Sequence, residues 1–116
     1  MTDSIKILCV YVLFLICVIC ITKTTKAQVQ VLSINADWNK ENKVKWINEL
    51  DSCNIDHIKL CKKPYIAKKY GVVVVPTIIL LIDNKEVKRF EADLSFKMVA
   101  TKEEVQKEIN RYISKN

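Results

Sequence analysis

Two thiols, one imidazole and a pair of asparagines are the groups in this 116-residue chain whose types and spacing bear on chemistry. Cys53 and Cys61 flank His57, the only histidine. A thiolate can attack a disulfide or hold a metal, and its reactivity follows its pKa and exposure. Lys59, Lys62 and Lys63 would favour the thiolate of Cys61 if that residue is exposed. Cys9, Cys17 and Cys20 lie in an apolar run and act there as small apolar side chains. No Cys, Ser or carboxylate constellation forms around His57, so it reads as structural. No residues show metal-ligand spacing, and no metal or cofactor is expected. Asp56, Asp83, Asp93 and the glutamates read as solvated. Asn39 and Asn42 stand three apart behind Trp38 in the stretch ADWNKENK, residues 36–43. Their amides are neither nucleophiles nor redox couples. They can only hydrogen-bond, and Asn39 is a good N-cap for a helix.

The surrounding pattern predicts the elements that position these groups. Residues 29–35 are apolar and rich in β-branched side chains, which suits a buried strand. Asn39 or Lys40 opens a helix running to about Asp51, with Val44, Ile47 and Leu50 on one face and Trp46 flanking it in the core. Residues 55–61 alternate as a second strand. At ~3.3 Å per strand residue, Cys53 and Cys61 then sit ~20 Å apart, too far for a disulfide. Pro64 suits the first turn of a short helix that stops at Gly71, the only glycine, as a C-cap with positive φ. Pro76 cannot lie inside a central ladder, so a third strand starts after it, at residues 77–82. Residues 83–85 form a tight turn, and 86–92 return antiparallel. Phe90 is a core residue and Phe96 a loop anchor. Thr101 and Glu104 form a capping box before a last helix, whose apolar face carries Val105, Ile109, Tyr112 and Ile113. A helix crossover makes the first two strands parallel. The expected fold class is α/β, a mixed central sheet flanked by helices on both faces.

Residues 1–27 read differently. A short polar head precedes fifteen uncharged residues, 7–21, and Thr25 and Ala27 occupy the −3 and −1 positions of a cleavage site. That is the layout of a secretory signal. The run is shorter than the ~20 residues of a spanning helix. Cleavage after Ala27 or retention as an N-terminal anchor would both export residues 28–116. Export places the domain in the periplasm or cell envelope, with membrane association only if residues 7–21 remain. The whole chain carries +6; after cleavage sixteen basic residues face twelve acidic ones, +4 net. The lysines are scattered and no aromatic residues interleave with them, which argues against nucleic-acid binding.

The order of elements and three motifs resemble the thioredoxin family over about residues 29–115. Trp38 and the Asn-Lys-Glu-Asn-Lys after it stand where the family has Trp-Cys-Gly-Pro-Cys-Lys. The segment YGVVVVPTIILL, 70–81, is similar to the family's helix end, cis-proline and following strand. The hairpin DNKEVKRFEA, 83–92, is similar to the next one. The signal-like start and the Asn/Lys/Ile-rich composition also look like exported thioredoxin-like proteins of the Bacteroidetes. The resemblance implies a cis Val75–Pro76 bond, with backbone groups of Val75 offered to an extended peptide. It also implies a dithiol at positions 39 and 42, and here the chain departs from the family. The family's first cysteine is a nucleophile at a helix N-terminus and its second resolves the mixed disulfide. Asparagine does neither.

The expectation is therefore a non-catalytic, redox-inactive thioredoxin-like domain that binds a protein or peptide partner in the envelope. Its contact surface would comprise Trp38, Asn39, Lys40, Glu41, Asn42, Val75 and Pro76. An alternative is a single-thiol redox protein working through Cys61, which falls at the carboxyl end of the second strand. A third is a structural subunit that uses residues 93–100 as its contact.

Overall fold

A computed structural model describes residues 28–114. Residues 1–27, expected to be a signal peptide or an N-terminal anchor, lie outside them. Four strands form one sheet: β1 (Val29–Asn35), β2 (Cys53–Lys59), β3 (Thr77–Ile82) and β4 (Lys85–Glu91). Their spatial order is β2-β1-β3-β4. β1 and β2 are parallel, with Val29 opposite Cys53 and Asn35 opposite Lys59. β1 and β3 are antiparallel, as are β3 and β4. Two α-helices complete the domain, α1 (Tyr65–Tyr70) and α2 (Lys102–Ser114).

β3 explains how the layers meet. Strand side chains alternate between faces, yet Thr77 through Leu81 are all buried, so both faces of this strand are covered. Ile78 and Leu80 join Val29 and Val31 under Val105 and Ile109 of α2. Ile79 and Leu81 join Leu32, Ile34 and Ile58 under Ile66 of α1. The expected mixed sheet with helices on both faces is thus the observed architecture.

Local chemistry sets most element ends as expected. Gly71 closes α1 at φ 60, the left-handed region. Asp83 and Asn84 both take positive φ in the β3–β4 turn, the backbone of a tight hairpin. Thr101 Oγ1 accepts the Glu104 N–H at 3.2 Å at the start of α2. Val87 is the extra residue of a bulge between Leu80 and Leu81, and its carbonyl accepts the Tyr112 hydroxyl at 3.1 Å. On β4, the Arg89 guanidinium donates to the carbonyls of Tyr70 and Gly71 and pairs with Glu86. The end of α1 is thereby tied to the sheet. Ile113 departs from its expected place on the buried face of α2: it is exposed.

The largest departure is the expected helix from 39 or 40 to about 51. Two 3-10 helices stand there instead, Asp37–Asn42 and Ile47–Glu49. Asn39 is kinked at φ −113, ψ 19, and Lys43 is extended at ψ 149. Val44, Ile47 and Leu50 do reach the core. Their spacing of three matches the 3.0 residues per turn of a 3-10 helix as well as it matches an α-helix. Asparagines also favour local hydrogen bonds over a helical ladder, and this stretch holds three, Asn39, Asn42 and Asn48.

Candidate functional site

Asn39 is not an N-cap. The cap position is Ala36, whose backbone is extended and whose side chain makes no bond. Asn39 is instead 4% exposed and acts as a hub. Its side-chain amide donates to Asn35 Oδ1 at 3.1 Å, to the Val75 carbonyl at 3.3 Å and to the Phe96 carbonyl at 3.1 Å. Its Oδ1 accepts from Asn42 Nδ2 at 2.9 Å. Asn35 Nδ2 donates back to the Asn39 carbonyl at 3.2 Å. One amide thus joins the β1 end, the proline turn and the loop before α2. A buried polar group of this kind needs its partners, and here each side-chain atom has one. Asn35 is absent from the expected site, and Phe96 is expected only as a loop anchor within the alternative 93–100 contact. The run of asparagines at 35, 39 and 42, four and then three apart, was the available signal.

A cleft of about 390 Å³ opens beside this hub, lined by Trp38, Phe96 and Val72–Val75 among others. Trp38 is 68% exposed and meets Phe96 edge to face, ring centroids 4.9 Å apart. That geometry suits the quadrupoles of two aromatic rings. Phe96 itself sits at φ 62 in a loop closed by Asp93, whose carboxylate accepts from Ser95 Oγ and from the backbone N–H of Ser95 and Lys97. Those bonds hold the Asp93 carboxyl below its ordinary pKa, the Ser95 hydroxyl contributing most.

The Val75–Pro76 bond is cis. The Val75 and Pro76 side chains are buried, so they shape the turn from beneath. The Val75 carbonyl is taken by Asn39, and the Val74 carbonyl by the Thr77 hydroxyl at 2.7 Å. Among the described residues, the N–H groups of Val73 and Val75 donate to no partner. Val73 is 82% exposed. Of the expected contact residues, Trp38 lines this cleft, with Val75 beneath it. Lys40 and Glu41 are exposed. Asn42 is half-buried and engaged with Asn39.

Cys61 also lines the cleft, beyond the carboxyl end of β2. The lysines around it do not set its character. Its thiol donates to Asp37 Oδ2 at 3.0 Å. That bond pushes the thiol pKa up, with smaller upward contributions from desolvation and the Asp37 charge; a backbone hydrogen bond at Cys61 and, less, the Lys59 charge only partly oppose them. A raised pKa leaves less thiolate, the reactive form. Asp37→Asn is therefore expected to lower the Cys61 pKa and speed its alkylation at pH 7, read by mass spectrometry with Cys53 as internal reference. An unchanged rate would show that Asp37 does not govern the thiol. Cys53 is half-buried, and burial followed by the Asp51 charge raises its pKa. Both cysteines are free; Cys53 opens β2, and Cys61 lies in the turn two residues past its end rather than inside the strand expected over 55–61. His57 Nε2 shares a hydrogen bond with Asn48 Oδ1 at 2.8 Å. Among the described residues no three His, Cys, Asp or Glu side chains gather as a metal site, and no helix is long and apolar enough to cross a membrane.

No protein-family model matches the sequence, and no curated protein matches it significantly. Solved structures do. A thioredoxin variant from Halobacterium salinarum superposes with TM-score 0.60 at 21% identity, covering 78% of this chain and 79% of that one. Schistosoma mansoni thioredoxin gives TM-score 0.59 at 19% identity, covering 83% and 87%. Thioredoxin-2 of a malaria parasite, described as a component of its protein secretion machinery, gives 0.56 at 21%, covering 76% and 86%.

Proposed function

We propose, on the premise that this chain has the thioredoxin-like fold, that it is an exported, redox-inactive module which binds an extended segment of a protein partner in the cell envelope. Export rests on the pattern of residues 1–27. The binding role rests on one observation above all: the Val73 and Val75 N–H groups stand without partners beside an exposed Trp38–Phe96 pair. An extended peptide laid along Val72–Val75 would accept those donors. Main-chain pairing supplies affinity and side-chain pockets supply specificity in this mode. Trp38 would be its anchor, since exposed aromatic residues dominate binding energy when a partner covers them.

The single-thiol alternative finds no support in the setting of Cys61, because Asp37 holds its proton. Nothing at Asn39 or Asn42 can replace a sulfur. The site keeps its shape through amide hydrogen bonds and offers a groove rather than a nucleophile.

Selection of random peptides on the full chain, followed by affinity measurement, tests this reading. Peptides selected on the native chain should bind Trp38→Ala about tenfold or more weakly, the size of a hot-spot loss. They should also weaken on Val73→Pro, which removes one N–H donor. Retained affinity in both variants would place the contact elsewhere, with residues 93–100 the next surface to examine.

A further inference from the structure

A second cleft lies across the Ala36–Asp37 wall from the first, and its chemistry is different. On the α2 side of the sheet, β1 and β2 begin apolar: Val29 and Val31 are core, and Cys53 and Ile55 pack against it. Strand periodicity puts Ser33, Asn35, His57 and Lys59 on the same side. The polar switch falls at the carboxyl ends of a parallel pair, where ligands of α/β sheets gather. An α-helix over residues 39–51 would have covered these ends. The two 3-10 helices leave a cleft of about 400 Å³ between the strand ends and residues 40–48.

Lys40, Lys43, Lys45 and Lys59 all line it. The ion pairs among the described residues are those of Arg89 and Arg111, so none of the four lysines has a carboxylate partner there. Among the described residues Asp37 is the one carboxylate lining the cleft, and it accepts the Cys61 thiol. Val44, Ile47 and Ile58 supply apolar surface, and Asn48 and His57 supply polar groups.

We propose that this cleft binds a small, multiply charged anion bearing phosphate or carboxylate groups. Four exposed lysines with no carboxylate partner among the described residues give the cleft a local excess of positive charge, which an anion would offset. Lysine serves phosphate and carboxylate alike as a point charge. The volume lies within the range of small-molecule sites, and a mixed apolar and polar lining is usual for them. Only the wall at Ala36 and Asp37 is shared with the peptide groove, so the two sites stand or fall separately.

The test is titration of the full chain with inorganic pyrophosphate and with citrate at low salt, followed by calorimetry and by amide NMR shifts. At least one probe should saturate, with shifts concentrated at Ser33, Asn35 and His57. Tighter pyrophosphate binding would assign phosphate, and tighter citrate binding carboxylate. The exposed double substitution Lys43→Gln, Lys45→Gln should weaken binding about tenfold. Lys85→Gln with Lys88→Gln, on β4 outside the cleft, should leave it unchanged. The proposal is overturned if neither probe saturates, or if the β4 variant weakens binding as much as the cleft variant does.

Discussion

Asn39→Asp is expected to destabilise the domain by about 3–5 kcal/mol at neutral pH, far more than its one-atom change suggests. The native amide donates to three oxygens, on Asn35, Val75 and Phe96. A carboxylate in the same place would present negative charge to all three, inside a residue that is 4% exposed. Both burial and the facing oxygens disfavour the charged form, so the folded-state pKa of the new carboxyl rises above the ~3.9 of an unfolded chain. The folded state then binds more protons than the unfolded state in the interval between those values. Stability therefore falls as pH rises through it. Below it the protonated acid can donate one hydrogen bond, and the deficit relative to the native chain should shrink. Urea unfolding of both chains at pH 7 and near pH 3.5 reads this directly. A deficit under about 1 kcal/mol at pH 7, or one equal at both pH values, would show that the hub does not carry the local structure. Asn39→Ala should cost about 2–4 kcal/mol with no such pH dependence, because it orphans partners without adding charge.

Ile79→Ala is the second large effect, at about 3–4 kcal/mol. Ile79 is fully buried near the middle of β3, between β1 and β4, and packs in the α1-side core. Truncation removes apolar atoms and leaves a cavity that two flanking strands prevent from collapsing. For a domain of ordinary stability, 5–15 kcal/mol, such a loss is a large share of the total. The denaturant midpoint should fall with the m-value unchanged. Leu94→Ala makes the contrast: Leu94 is 94% exposed, and its truncation should move the midpoint by less than about 0.5 kcal/mol. Equal effects at the two positions would contradict the assignment of the core.

The sheet was legible in the sequence because its signals are local and reinforcing. β-branched runs mark β1 and β3, Pro76 marks where β3 can begin, and Asp83-Asn84 supplies positive φ for the hairpin. Gly71 and Thr101 behave as caps for the reasons their chemistry gives. The segment from 37 to 50 was not legible. Its apolar spacing suits two helix types, and what decides between them is distant: Asn39 meets Val75 and Phe96, 36 and 57 positions away. No local pattern encodes those partners. Cys61 shows the same limit. Its neighbouring lysines suggest a thiolate, while Asp37, 24 positions earlier, imposes the opposite.

The valine strip from 72 to 75 is fastened at both of its ends. Arg89 grips the carbonyls of Tyr70 and Gly71 just before it, and Asn39 grips the carbonyl of Val75 at its close. The strip is consequently preorganised. A segment docking along it would order itself against a surface already in place, and the entropic cost of association would fall almost wholly on the incoming chain.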